Sequence, residues 1–306
     1  MAEYLTIDVG GTSIKFAVMN ENAEISEKGD YPTPMDEGLN GFLKSLKAVY
    51  DKYGSKAEAV VMSAPGRIDS GTGYFYTSGA LGYISGVNLK DRLKDLIPVP
   101  FAVENDAKAA ALAEIWKGSM KGVSNGIVIT LGTGIGGAVI IDGKLYRGST
   151  FAAGEFSGIP TCIDNNQPYG HGGSMWAVPN SVRTMVANYA AKINMDPKDC
   201  NGKILFEAAN NGQKEALDTI DEFCMGLAAG IMSLQFALDV QKVAIGGGIS
   251  KQPLLMESLH KKIHEYYDEA QKMGMPASIP EIASCEFGND ANMIGALYHY
   301  LYELKK

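Results

Sequence analysis

The sequence predicts an α/β protein of two domains related by an internal repeat, and two stretches carry that prediction. In the first, the apolar run Tyr4-Leu5-Thr6-Ile7 leads through Asp8-Val9-Gly10-Gly11-Thr12-Ser13-Ile14-Lys15 into Phe16-Ala17-Val18-Met19, which reads as strand, glycine turn, strand. In the second, Ile129-Thr130-Leu131-Gly132-Thr133-Gly134-Ile135-Gly136-Gly137-Ala138-Val139-Ile140-Ile141 has the same build. Aligning Asp8 with Thr130 gives an offset of 130 − 8 = 122 residues. It puts Gly10 on Gly132 and Phe16-Ala17-Val18-Met19 on Ala138-Val139-Ile140-Ile141. A supersecondary unit repeated at that distance implies two related halves. The 306 residues suffice for two domains with cores of their own.

The remaining elements follow in chain order. Ala23 to Lys28 is expected to add a third antiparallel strand, ended by Pro32 and Pro34. Leu39, Phe42, Leu43, Leu46, Val49 and Tyr50 recur at helical spacing, so a helix is expected from Asp36, a suitable N-cap, to Tyr53. Ala57 to Ala64 is a valine-rich strand stopped by Pro65-Gly66, at a sheet end where loops carry ligand contacts. Gly71, Gly73 and Tyr74-Phe75-Tyr76 suggest a hairpin, Asn88 caps a short helix from Leu89 to Leu96, and Pro98 to Val103 is another buried strand. That strand delivers Glu104-Asn105-Asp106 into an alanine-rich, strongly helical run. Helices dominate from Ser181 to Asp239, the longest from about Gln213 to Leu238. Val243 to Ile245 is a strand running into a third glycine turn, Gly246-Gly247-Gly248. A helix from Pro253 to Lys272, a strand at Ile282-Ala283-Ser284 and a closing helix from Asn289 to Leu304 complete the chain.

Composition narrows the function classes. At 46% hydrophobic and 20% charged residues the chain is ordinary for a globular protein. A net charge of −8 argues against a nucleic-acid surface and suits a handler of small molecules. No apolar run reads as a membrane span, and Glu3 follows Met1-Ala2 directly with no leader pattern, so the expected partners exclude membrane and the expected compartment is the cytoplasm. Cys162, Cys200, Cys224 and Cys285 form no Cys-x-x-Cys pair and are expected to be thiols.

The chemistry is concentrated in the turns. A turn of glycine, threonine and serine has bare N–H groups and no Cβ at its sharpest point, so it can approach a phosphate closely and form an anion-binding concavity. Asp8 can face a hydrated metal ion and Lys15 can offer a point charge to phosphoryl oxygens. The strand-to-helix phosphate loop is absent, and Gly132-x-Gly134-x-Gly136 has neither the spacing nor the following helix of a dinucleotide fingerprint. Asn105 or Asp106 stands at a helix N-terminus, where a carboxylate stays ionised and can accept a proton from a bound hydroxyl; a plain N-cap is the alternative. Gly246 to Gly248 suits a flat ring or ribose against backbone, or is a structural loop. His171, in the polar loop Thr161 to Ser174, is a candidate contact, although a lone histidine in such a loop is more often a surface or turn residue than a ligand.

Taken together, Asp8-x-Gly10-Gly11-Thr12-x-x-Lys15, Glu104-Asn105-Asp106, Leu131 to Gly137, Ala153-Gly154-Glu155, Gly246 to Ile249 and Gly288-Asn289-Asp290-Ala291 resemble, in order, the landmarks of the ROK family of sugar kinases. The resemblance implies a two-domain actin-like ATPase (ribonuclease H-like) fold, with residues 1–118 plus 290–306 in one domain, 119–289 in the other and the active site in the cleft between them. It implies Asp106 as catalytic base toward a sugar hydroxyl, O6, and Asn105 and Glu155 as sugar contacts, with Gly66 and His171 as further candidates. It implies ATP phosphates on the turns of Gly10, Gly11, Thr12 and Lys15 and of Gly132, Thr133 and Gly134, adenosine against Gly246, Gly247 and Gly248, and Mg2+ held by Asp8 through water. A homodimer is implied as well.

The departures are informative. The family's histidine after Gly-Glu is Gly158 here, its three-cysteine zinc knuckle is reduced to Cys162, and its sugar-contacting asparagine is Ala80, so zinc is not expected. Three lost polar groups leave space around the sugar and point to the zinc-free branch with β-glucoside kinases. Glucokinase, fructokinase and N-acetylmannosamine kinase activities stay open, as does a non-catalytic sugar-sensing regulator. A DNA-binding repressor is not expected, because only seven residues precede Asp8.

Overall fold

The computed structural model describes residues 2–161 and 175–305. Its elements run β1 (Glu3–Val9), β2 (Ser13–Asn20), β3 (Ile25–Pro32), α1 (Gly38–Tyr53), β4 (Ala57–Ala64), β5 (Ile68–Asp69), β6 (Tyr74–Phe75), α2 (Leu89–Leu93), β7 (Phe101–Asn105) and α3 (Asp106–Lys117). They continue with β8 (Gly126–Leu131), β9 (Ile135–Ile141), β10 (Lys144–Tyr146), α4 (Val182–Lys192), α5 (Gly202–Asn210), α6 (Lys214–Leu238), β11 (Lys242–Gly247), α7 (Pro253–Lys272), β12 (Glu281–Ser284) and α8 (Ala291–Tyr298). A π-helical turn, His299–Leu304, ends the chain.

Two compact units emerge. One holds the described residues of Met1–Lys121, Leu145–Ala153 and Asn289–Lys306; the other holds those of Gly122–Lys144 and Gly154–Gly288. Each carries one five-stranded sheet, in the order β3-β2-β1-β4-β7 and β10-β9-β8-β11-β12. The two orders correspond strand for strand, which is the internal repeat seen in space. In each sheet the hairpin that holds a glycine turn is antiparallel and the strands beyond it are parallel.

The register of the repeat departs from a constant offset. Val9 pairs with Ile14 and Leu131 with Ile135, so the second turn, Gly132–Gly134, is one residue shorter than Gly10–Ser13. Beyond the turns the offset is therefore 135 − 14 = 121, and Phe16 corresponds to Gly137 rather than Ala138. Gly137 is glycine because Phe156 fills its place: a Cβ there would collide with the Phe156 ring.

In the first unit, alternate residues of β1, β2, β4 and β7 (Leu5, Ile7, Ile14, Phe16, Val60, Met62, Val103) pack on Phe42 and Leu46 of α1. On the opposite side α3, which is almost wholly buried, packs against α8. They meet closely, since a Cβ on Gly295 would strike the Ala109 carbonyl. In the second unit, Ile127, Ile129, Val243 and Ile245 of the sheet share a core with Phe223, Leu227 and Ile231 of α6 and Leu255 and Leu259 of α7. Helix α6 is long and apolar enough to cross a bilayer by length and composition, and half of that window is buried inside the unit, as in the core helix of a globular protein. Helix α7 starts at Pro253, whose missing N–H is harmless in a first turn. The expected N-cap Asp36 does not cap α1: Glu37 stands there in helical conformation with no side-chain cap, followed by Gly38 at φ +61°. Cys200, Cys224 and Cys285 are buried, and burial pushes the Cys224 thiol up to about 12. Cys162 lies outside the described residues.

Candidate active site

In the first unit three loops leave adjacent parallel strands at their carboxyl ends, the usual place for ligands in an open α/β sheet. After β1 comes Asp8 with its turn, after β4 comes Pro65-Gly66, and after β7 comes Asp106. Asp8 is only 9% exposed. Its Oδ1 accepts from Ser63 Oγ at 2.5 Å and from Asn292 Nδ2 at 2.9 Å, while Oδ2 takes neither. Ser63 is its register neighbour on β4. Lys15 is its direct partner across the hairpin, so the two side chains share a face. The turn closes by Gly10 N–H donating to the Ser13 carbonyl at 3.0 Å, and Thr33 Oγ1 clamps it by donating to the Gly10 carbonyl at 2.7 Å. Thr12 is exposed at its tip. Ala80 is a close neighbour: a Cβ on Gly11 would stand 3.4 Å from the Cβ of Ala80.

The structure divides the labour between Asn105 and Asp106. Asn105 is the N-cap of α3: its Oδ1 accepts from Lys108 N–H at 3.0 Å, and its Nδ2 donates to the Gly66 carbonyl at 2.9 Å. An amide has two hydrogens and two lone pairs, so Asn105 retains capacity for a ligand hydroxyl. Asp106 is the first helical residue, half-buried, with Oδ1 accepting from Ala107 N–H at 2.8 Å. Capping does not explain Asp106, because Asn105 performs it. Gly66, at φ +114°, is obligatory there, since a Cβ would collide with the Thr77 carbonyl.

The second unit has its own turn. Gly132 N–H donates to the Gly134 carbonyl at 3.0 Å, matching the first hairpin, and the Gly132 carbonyl accepts from Val182 N–H at the start of α4. Gly247, at φ +97°, lets β11 pass the Leu131 carbonyl, which a side chain would strike. Ser250 Oγ donates to the Gly247 carbonyl at 2.9 Å and fixes that turn. Between these pieces lies a cavity of about 320 Å³ lined by Leu131, Gly132, Thr133, Val182, Arg183, Gly248 and Ile249. Exposed backbone of two glycine turns, an apolar wall and one guanidinium suit a nucleotide. Glu155 is exposed, after Gly154 at φ +85° and before the short helical turn Phe156–Gly158. Among the described residues, a Cβ on Gly158 would meet nothing within 4 Å. His171 lies outside the described residues.

Comparison with known proteins agrees with this geometry. The family model described as "ROK family" matches residues 4–302. The chain belongs to the ROK family. It is 31% identical to a glucokinase of Halalkalibacterium halodurans, over 95% of this chain and 93% of the relative. It is 29% identical to a beta-glucoside kinase of Klebsiella pneumoniae, over 96% and 94%. Among solved structures, a ROK family protein from Streptococcus pneumoniae in complex with sucrose superposes with a TM-score of 0.85 at 29% identity, covering 99% of both chains. A ROK family glucokinase from Streptomyces griseus in complex with glucose and AMPPNP gives 0.83 at 26% identity, covering 97% of this chain and 98% of that one. The fold is the actin-like ATPase fold of these ROK kinases.

Several groups of this ROK chain have no counterpart in the sequence reading: Ser63, Asn292 and Thr33 around the first turn, and Arg183 and Ser250 around the second. A buried ion network behind the Asn105–Asp106 corner was equally unforeseen. Glu104 is 1% exposed, and its Oε1 accepts from Asn105 N–H at 2.8 Å. Its Oε2 accepts from Arg147 Nε at 2.8 Å and forms an ion pair with Nη2 at 2.7 Å. Arg147 also reaches Glu303, which binds His299 Nδ1 from the next turn of the same terminal helix. Burial works to raise the Glu303 carboxyl, but the bonds from His299 and Arg147 prevail and hold it at about 2. Burial likewise opposes the Arg147 charge, and Glu104 and Glu303 together raise its pKa. Glu104, His299 and Glu303 are close enough to suggest a metal site, but the guanidinium already serves as their cation.

Proposed function

We propose that the chain is an ATP-dependent sugar kinase that transfers the γ-phosphoryl group of ATP to O6 of a glucose-type sugar or β-glucoside. The observation that carries this reading is the division at the end of β7: Asn105 caps α3, so capping does not account for the adjacent Asp106, whose carboxylate stands at the helix N-terminus where three strand-end loops gather. Strands in a sheet lie about 4.8 Å apart, so β1 and β7, with β4 between them, are about 10 Å apart; the register sets Asp8 in a row with Ser63 and Glu104, and Asp106 follows two residues beyond that row at the same sheet end. That span suits a phosphate group at one end and an acceptor hydroxyl at the other.

In this reading Asp106 accepts the hydroxyl proton as the oxygen attacks phosphorus. Asn105, anchored to Gly66, and Glu155 orient sugar hydroxyls. The turn at Gly10–Thr12 with Lys15, and the turn at Gly132–Gly134, bind phosphate oxygens through N–H groups and charge. The cavity beside Gly248 and Arg183 takes the nucleoside, with Gly246 and Gly247 ending β11 just before Gly248 in the chain. Phosphoryl transfer depends on such positioning and charge neutralisation more than on covalent chemistry. Asp8 is a suitable holder for Mg2+ through water, because Ser63 and Asn292 fix one carboxylate oxygen and use neither bond on the other. Magnesium supplies charge neutralisation on the phosphates. A homodimeric state and a cytoplasmic location belong to the same proposal.

The test is an ADP-release assay over a panel of glucose, N-acetylmannosamine, fructose and β-glucosides. Turnover on a glucose-type sugar is expected; no turnover on any sugar contradicts the proposal.

A further inference from the structure

Beside the Gly66 loop lies a patch that the kinase reading does not use. The hairpin of β5 and β6 brings Arg67 and Tyr76 together: Tyr76 N–H donates to the Arg67 carbonyl at 2.9 Å, and Arg67 N–H donates to Thr77 Oγ1 at 3.0 Å. The Arg67 guanidinium lies over the Tyr76 ring, 4.5 Å from its centroid, and Tyr74 packs edge-on against the same ring at 5.1 Å. Phe151 lies nearly parallel to Tyr76, with centroids 6.3 Å apart and ring planes 24° apart. Tyr76 nevertheless stays 42% exposed.

Two further features set the patch apart. Phe151 holds φ +62°, a left-handed conformation that is unfavourable for a non-glycine residue and persists where the surroundings enforce it. The Arg67 side chain makes no hydrogen bond or ion pair among the described residues, and its Nε is buried without a partner. An exposed aromatic surface, braced from two sides, thus adjoins a guanidinium whose donors have no acceptor. Pyranose rings match this pair of features. Their C–H faces favour the negative face of an aromatic ring, and their hydroxyls accept from a guanidinium.

The position is also informative. Arg67 follows Gly66, whose carbonyl holds Asn105 beside Asp106, and Phe151 precedes Ala153-Gly154-Glu155 in the chain. We propose that Tyr76, Phe151 and Arg67 form a subsite for the second ring of a β-linked disaccharide or aryl β-glucoside whose first ring is the phosphorylated glucose. The rings stack on that second unit and Arg67 donates to its oxygens. This inference rests on the sugar-kinase reading and adds to it the residues that hold the acceptor's second unit.

The test compares kcat/KM for glucose and cellobiose in the purified protein and in Tyr76→Ala, Tyr76→Phe and Arg67→Met. Tyr76→Ala is expected to lose about fivefold to tenfold on cellobiose, the size of one aromatic contact, with the glucose value within about twofold of the parent. Tyr76→Phe keeps the stacking face and is expected to keep cellobiose activity. Arg67→Met is expected to show the same selective loss as Tyr76→Ala, and serves where that variant does not fold. Equal losses on both sugars, or none on either, overturn the subsite. Turnover of glucose without cellobiose by the parent protein overturns the subsite and leaves the kinase reading standing, whereas turnover of neither sugar removes both.

Discussion

Replacing Arg147 by Met tests the packing behind the proposed base. Glu104 is 1% exposed, takes one N–H from Arg147 and ion-pairs with its Nη2; without them its charge keeps, among the described residues, the Asn105 N–H. Removing one partner of a buried pair leaves an uncompensated charge and costs about 3–5 kcal/mol. Arg147 also carries part of the Glu303 interaction, so the upper end of that range is expected. Adding Glu104→Gln removes the stranded charge and should restore most of the loss. Urea unfolding followed by tryptophan fluorescence, with Trp116 in this unit, measures all of these. A loss of less than about 1 kcal/mol, or a double variant no more stable than the single, refutes the reasoning. Because Glu104 Oε1 also holds the Asn105 N–H, kcat should fall with stability.

Three further outcomes follow from the same geometry. The Glu303 carboxyl sits at about 2 against an ordinary 4.5, so its contribution is complete above pH 4.5 and lost as pH falls toward 2; Glu303→Gln should cost at most about 3 kcal/mol at pH 7, with the two stability curves converging near pH 2, and a gap constant with pH contradicts this. Gly66→Ala forces a Cβ into the Thr77 carbonyl at φ +114°, so a loss of about 2 kcal/mol or more and a raised sugar KM are expected in urea unfolding and steady-state kinetics; parent-like values contradict the assigned turn. Arg183→Ala removes the one cation among the described residues that line the second-unit cavity and should raise the ATP KM about tenfold with the sugar KM unchanged; the reverse pattern would move the nucleotide elsewhere.

What was legible in the sequence was local. Strands announced themselves through valine and isoleucine runs ending in glycine, the N-cap at Asn88 through its side chain, and α7 through Pro253 and the lysine at its end. The glycine turns were legible because their chemistry is carried by consecutive residues. The groups that fix those turns were not, since Asn292 meets Asp8 and Arg147 meets Glu104 across long stretches of chain with no periodic signal. The closing helix reads as one amphipathic run to Leu304, but it widens to a π-helix at His299, which brings His299 and Glu303 onto Arg147; a 3.6-residue period cannot encode that switch. The repeat register slipped by one because both turns are glycine-rich and the alignment carries no mark of where a residue is missing. Asn105 and Asp106 are both good N-cap residues, and only the backbone conformation decides between them.

The central claim is that Asp106 removes the proton from the acceptor hydroxyl while Asn105 holds the helix. Asp106→Asn keeps size and helix start but removes the base, so the direct test pairs ADP release with calorimetric glucose binding in this variant. The account predicts turnover reduced by about 10³-fold or more with glucose affinity within about threefold of the parent. Turnover near the parent value, with binding intact, would contradict it.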